Sequence, residues 1–218
     1  MSTHEPLRVV AHVPGQISLA HRHLALDGIL ASQVALREQL PPPSCAADCQ
    51  PIEIPIQREP GGRFHLCSFG EFELTEFDIR WVNRRAPVDQ YQHLTSAKGK
   101  VLITAGPDKS YRLPLETGHL VNETITWWCI GDDDAIRDLL VGVRYLGKKR
   151  SVGLGAVEWW DVSLCDTWPG FPVLRDGSPL RTLPLDCPGL AEDPPVAYRC
   201  LTYPYWAHEH EELRACPQ

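Results

Sequence analysis

Residues 123–164, ETITWWCIGDDDAIRDLLVGVRYLGKKRSVGLGAVEWWDVSL, decide the reading of this chain. Glu123 to Ile130 is rich in β-branched and aromatic residues and closes at Gly131, which predicts a strand. Asp132 to Asp134 then supply acidic groups where the positive end of a helix dipole favours them. Ile136, Leu139, Leu140, Val143 and Leu146 recur at helical spacing up to Gly147. A loop, KKRSVGLG, leads into a final strand at Ala156 to Leu164. The order strand, helix, glycine loop, strand sets the second half of the fold.

Working outward, Leu7 to Val13 predicts a strand that stops at Pro14-Gly15. Asp27 stands where an N-cap would, before the amphipathic run Ile29, Leu30, Val34 and Leu36. Pro41-Pro42-Pro43 ends that helix. Phe69 to Trp81 alternates as a strand, with Phe72, Leu74 and Phe77 among its apolar positions, and Lys100 to Thr104 reads as a further short strand. The expected fold class is α+β, with the split βαβ order of ferredoxin-like and RRM-like domains. Residues 1–164 form the expected core, with an insertion at about 41–100. Residues 165–218 form an acidic, Pro-rich extension draped over it.

The apolar fraction of 43% is sufficient for a packed core. There is no run of eighteen apolar residues, so no membrane-spanning helix or membrane partner is expected. The start lacks the apolar stretch of an export signal, which points to the cytoplasm. In that compartment the eight cysteines are expected to be reduced. Cys45 and Cys49 have zinc-like spacing without a second pair, and Cys200, His208, His210 and Cys216 match no standard zinc module. No metal or other cofactor is expected.

A net charge of −7 argues against a protein that coats nucleic acid with its whole surface. The charge is unevenly distributed. Residues 142–155 carry four cations and no acid, residues 80–112 seven cations against two acids, and residues 165–218 four arginines against eight acids. A polyanion would therefore meet one face.

Within the loop, Gly147, Gly153 and Gly155 let a ligand backbone approach closely. Exposed peptide N–H groups suit phosphate oxygens. Arg144, Lys148, Lys149 and Arg150 add charge, and Ser151 adds a hydroxyl. The alternative is an ordinary turn with a solvated basic run. A nucleotide-binding P-loop is a poor match, because there the order is strand, loop, helix. Trp127-Trp128 and Trp159-Trp160 invite base stacking as well as core packing. Strand alternation should bury one indole of each doublet and leave the other on the second face, and core packing is the favoured reading.

The stretch GKKRSVGLGAVEWWDV (147–162) resembles the glycine-rich loop and closing strand of the RAMP superfamily of CRISPR proteins. LRVVAHVPGQISL (7–19) and LALDGILASQVALR (24–37) resemble that superfamily's first strand and helix. LALDGILA (24–31) is most similar to the small, Cas-five-like subunit of type IV effector complexes. The resemblance implies an RRM-like core with a protruding thumb, here the 41–100 insertion. It also implies a non-catalytic subunit that holds the crRNA 5′ handle and caps the backbone filament. Implied partners are crRNA, a backbone RAMP subunit, a large subunit and, indirectly or at duplex entry, target DNA. Arg80, Arg84, Arg85, Lys98 and Lys100 would suit phosphate contact from the thumb, the alternative being a solvated basic face. His21 and His23 would contact RNA beside the first helix or simply face solvent. Some RAMP proteins cleave precursor RNA. His12, His21 or His23 would then act as acid or base, with Lys148 or Lys149 as the cation. A protein-only scaffold is the remaining alternative.

Overall fold

A computed structural model describes residues 4–19, 23–41, 52–84, 111–165, 172–205 and 211–217. Its centre is strand β1 (Glu5–His12), where Leu7, Val9 and Ala11 have no exposed surface. Two further strands flank β1 antiparallel, β4 (Thr124–Gly131) and β5 (Trp159–Leu164). In β4 every second residue is buried, so Ile125, Trp127 and Cys129 lie on one face and Trp128 on the other. Helix α1 (Leu26–Arg37) adds Leu26, Leu30 and Ala31 to the same core, and helix α2 (Asp133–Leu140) adds Ile136, Leu139 and Leu140. The result is the α+β arrangement expected from the sequence.

The outer edge of β4 is covered by an irregular segment. Ile56, Cys67 and Glu71 bridge to Gly131, Cys129 and Thr126. The chain then enters a hairpin, β2 (Leu74–Arg84) with β3 (Tyr111–Leu120). The alternation from Phe69 to Trp81 thus spans two structures. Phe69 gives its N–H to Leu180, Glu71 pairs with β4, and the hairpin strand starts only at Leu74. Phe77 is 66% exposed and Trp81 50%, so the hairpin stands away from the core.

Two helix boundaries differ from the sequence expectation. Helix α1 begins at Leu26, with Asp27 buried inside its first turn. Helix α2 is capped by Asp132, whose side chain accepts from Ala135 N at 3.0 Å, and it ends at Leu140. Val143 and Leu146 are still buried, because the turn after α2 folds back onto the core. Their apolar spacing records burial, not helix.

Residues 172–217 contribute two short hairpins, β6 (Leu174–Arg175) with β7 (Ser178–Pro179) and β8 (Val196–Arg199) with β9 (Glu212–Ala215). They pack a small cluster of Val173, Leu174, Leu183, Cys187 and Ala215 against Phe64 and Leu66. Of the cysteines in the described residues, Cys67, Cys129, Cys187, Cys200 and Cys216 are buried and Cys165 half-buried, all free thiols. Among the described residues no helix is long and apolar enough to cross a membrane. Cys45, Cys49, His208 and His210 lie outside the described residues, as does the strand expected at Lys100 to Thr104.

Candidate nucleic-acid interface

The glycine loop is anchored at its foot by a bridge between Tyr145 and Ala156, with Val157 N–H donating to the Arg144 carbonyl at 2.9 Å. It is then pulled against the segment that follows β1. Lys148 N–H donates to Ser18 at 2.7 Å, and Gly155 N–H to Gln16 at 2.8 Å. Gly147 and Gly155 have φ of +79° and +67°, and a Cβ would collide with the carbonyl oxygens of Ser18 and Leu146 respectively. These two glycines therefore serve the loop's own closure. Gly153 (φ +85°) has open space where its Cβ would be.

Between the glycines, Lys149 is left-handed (φ 57°) and precedes a 3₁₀ turn over Arg150–Val152. Val152 and Gly153 N–H bond back to Lys149 and Arg150 carbonyls. The first N–H groups of such a turn have no partner within it. Among the described residues those of Arg150 and Ser151 have no backbone acceptor. Lys148, Arg150 and Ser151 are exposed and Lys149 is half-buried. Two peptide donors, a hydroxyl and three cations thus share one projecting turn, a set suited to phosphate oxygens.

The hairpin reaches this turn. Ile17 and Gly118 exchange backbone bonds of 2.9 and 3.0 Å, which lays β3 along the segment that also holds the loop. At the far end of β3, Lys149 Nζ sits 5.8 Å from the centroid of the Tyr111 ring, within cation–π range. The register pairs Tyr111 with Arg84 and Leu115 with Arg80. Directly opposed residues, and those two apart, share a face. The exposed Arg80 therefore belongs to the hairpin face that Lys149 touches, and Arg84 is Tyr111's register partner. Arg112 is on the opposite face, 4.3 Å above the Trp81 ring.

The remaining expected residues are placed as follows. Arg144 is exposed at the foot of the loop, beside a cleft that also borders Tyr145 and Trp159. His23 is half-buried and packs on Phe69 at 5.2 Å, just before the first turn of α1. His12 stacks on Trp159 at 4.1 Å. His21, Arg85, Lys98 and Lys100 lie outside the described residues. Tyr111 was not expected from the sequence, since nothing local marks one tyrosine as a contact for a lysine thirty-eight positions on.

The tryptophan doublets divide as alternation requires. Trp127 is fully buried and donates its indole N–H to Leu24 at 2.9 Å, with Trp160 packed beside it at 5.6 Å. Trp159 is 51% exposed. A buried polar centre also went unforeseen. Arg181 has no exposed surface and joins Asp27, Tyr205 and the His65 carbonyl.

A family model described as CRISPR type IV associated protein Csf3 matches residues 76–217. The match takes in most of the hairpin, β4, α2, the glycine loop, β5 and the C-terminal hairpins. No curated protein matches the chain.

Proposed function

The chain belongs to the Csf3 family of type IV CRISPR-associated proteins, and from that premise we propose that it is a non-catalytic subunit gripping the guide-RNA backbone between its glycine loop and its β2–β3 hairpin. The observation that carries the reading is the Lys149–Tyr111 contact, which brings two basic segments to one side of a protein whose net charge is −7. A polyanion would find its cations there, from Lys148, Lys149 and Arg150 on the loop and from Arg80 on the hairpin. In this reading the hairpin is the thumb, and the phosphate contacts give affinity without reading sequence. The RNA held would be the 5′ handle of the crRNA. The subunit would cap the backbone filament beside the large subunit, near the entry of target DNA.

The non-catalytic reading draws support from the histidines. His12 is held in a stack on Trp159 and His23 against the Phe69 ring, contacts that restrain both imidazoles, whereas an acid or base at a phosphate must be free to reach it.

The test is binding and cleavage of labelled repeat-derived RNA, comparing wild type with the Lys148→Ala/Lys149→Ala/Arg150→Ala variant across a salt series. Salt-sensitive binding of intact RNA is expected. Loss of three phosphate contacts should flatten the log–log salt dependence by about 2. RNA scission would replace this reading with a nuclease. Absence of binding even with the partner subunits present would leave the loop as a turn in a protein scaffold.

A further inference from the structure

Strand β5 is the outer strand of its sheet, bonded to β1 on one side. One contact fixes the phase of its hydrogen bonds. Cys165 N–H donates to the Pro6 carbonyl at 2.9 Å, one step beyond the Leu7–Leu164 pair. Bonded positions in an antiparallel ladder recur every second residue, so Ser163 and Asp161 also turn their peptide groups toward β1. The N–H and C=O groups of Trp160, Val162 and Leu164 therefore point outward. Among the described residues none of these groups has a backbone partner. The Val162 carbonyl accepts from Arg137 Nη2, a side chain standing where a neighbouring strand's N–H would.

The chain itself begins a ladder on this side. Gly155 N–H is bonded toward Gln16, while the Gly155 carbonyl accepts from Leu146 N–H at 2.8 Å and Val157 N–H donates to Arg144 at 2.9 Å. Arg144 to Leu146 thus occupy the outer position beside Gly155 to Val157, and β5 runs on without them. The edge lacks the usual protection, since its six residues, WWDVSL, hold no lysine or proline. A cleft of about 550 Å³ borders it, lined in part by Arg137 of α2, Val141 just after it, and Trp160 and Val162 of β5. Val141 is 77% exposed. Leu164, on Val162's side of the sheet by alternation, is 56% exposed.

Outward donors and acceptors that alternate at strand spacing are matched by another extended polypeptide. Phosphate oxygens would accept from the N–H groups but give nothing to the carbonyls of Trp160 and Leu164. We propose that the free edge of β5 receives an extended strand of a partner protein in the type IV complex, continuing the rungs that Arg144 to Leu146 begin. Main-chain bonds would give the affinity, and an apolar side chain on the helix side, beside Val141 and Leu164, the preference. Arg137 would yield the Val162 carbonyl to the incoming N–H and keep its ion pair with Asp133. This surface is separate from the RNA reading above, and neither depends on the other.

Hydrogen exchange resolved to single residues tests it, on the full chain alone and assembled with its partner subunits. In the chain alone the amides of Trp160, Val162 and Leu164 should exchange fast, and those of Asp161 and Ser163 slowly. Assembly should slow the first set by roughly tenfold or more, the factor one hydrogen bond is worth. A pair of variants separates backbone from side chain. Leu164→Pro deletes an outward N–H that β1 does not use, which an edge strand tolerates, whereas Leu164→Ala keeps it. Both should unfold in urea near the wild-type midpoint, and the proline variant should assemble about tenfold more weakly than the alanine variant. Equal assembly of the two overturns the proposal, as do three amides that exchange equally fast in the complex. Protection by repeat-derived RNA alone would assign the edge to nucleic acid, and protection on concentrating the chain alone would assign it to a second copy. Either result overturns the proposal too. None of these outcomes alters what the triple basic variant does to RNA binding, so the two readings fail separately.

Discussion

The guanidinium of Arg181, with no exposed surface, lies 3.2 Å from the carboxylate of Asp27, 154 positions earlier in the chain. A buried arginine is tolerated only if its donors are satisfied. Here Nη1 donates to the His65 carbonyl at 2.7 Å and Nη2 to the Leu201 carbonyl at 2.8 Å. The Tyr205 hydroxyl lies 3.0 Å from Nη2 and donates to both carboxylate oxygens of Asp27. The first turn of α1, the segment covering the β4 edge and the C-terminal segment therefore meet at one side chain.

Removing one partner leaves the other charge buried and unpaired, which costs about 3–5 kcal/mol. Arg181→Met and Asp27→Asn should each lower stability in urea unfolding by that order. The double variant should lose less than the sum, because its second substitution removes the orphaned charge. Additive losses in the cycle would show that the pair is not coupled.

The same pair makes stability pH-dependent. Burial alone would raise the Asp27 carboxyl, but the charge of Arg181 and the hydrogen bond from Tyr205 outweigh it and hold the group well below the usual carboxylate range. A carboxyl depressed in the folded state contributes stability that is present above its unfolded pKa of about 4 and lost as the pH falls below that. The urea midpoint should therefore drop from pH 5 to pH 3, with this group contributing at most about 1.4 kcal/mol per pH unit. In Asp27→Asn that share of the slope should vanish. An unchanged slope would place the acid sensitivity elsewhere.

Cys67 borders the same centre, its sulfur 3.3 Å from Arg181 Nη1. Burial and the nearby Asp27 charge push its thiol up to about 12, despite the cation. The thiolate is the reactive form. Iodoacetamide at pH 8 should leave Cys67 unmodified in the folded protein and alkylate it after denaturation, as peptide mapping would show. Rapid native labelling would mean that the segment opens.

Much of the fold was legible because local pattern and burial agree. The alternation of Ile125, Trp127 and Cys129 is the burial pattern of β4, and the acidic run Asp132 to Asp134 marks the start of α2 as expected, although the cap at Asp132 was not foreseen. Asp27 was misleading for a physical reason: an aspartate before an apolar run satisfies the local capping rule whether or not a partner waits 154 residues away. Arg181, in a Pro-rich stretch without periodicity, gives no sign of its burial. The glycine loop was legible as a site candidate, but the use of Gly147 and Gly155 was not. Their tight contacts are with Ser18 and Leu146, and only the folded loop brings those carbonyls close. Alternation does place Trp159 outward, on the sheet face opposite Trp160.

The loop glycines separate closure from strain. At Gly153 a methyl group meets open space, so Gly153→Ala bears only the cost of positive φ, about 1 kcal/mol. At Gly155 the methyl would meet the backbone carbonyl of Leu146 as well, and Leu146 is itself buried in the core, so relief of the clash must move packed backbone. Gly155→Ala should cost clearly more in urea unfolding, and should shift the loop. Equal costs would mean that the loop foot is pliable.

The last prediction concerns whether hairpin and loop hold one strand. Arg80 lies on the face of the hairpin that includes Tyr111, and Lys149 reaches that face from the loop. If both segments contact phosphates of a single RNA, Arg80→Ala should weaken binding of repeat-derived RNA and lower the salt slope by about 0.7, as one lost single-strand contact does. Combined with Arg150→Ala, the slope should fall by about twice that. Tyr111→Ala removes no charge and should leave the slope nearly unchanged. It should nevertheless lower affinity by uncoupling hairpin from loop, since the cation–π contact is worth about 0.5–1 kcal/mol at an exposed site. If Arg80→Ala leaves both affinity and slope as in wild type while Arg150→Ala does not, the loop acts alone, and the hairpin's cations face another partner.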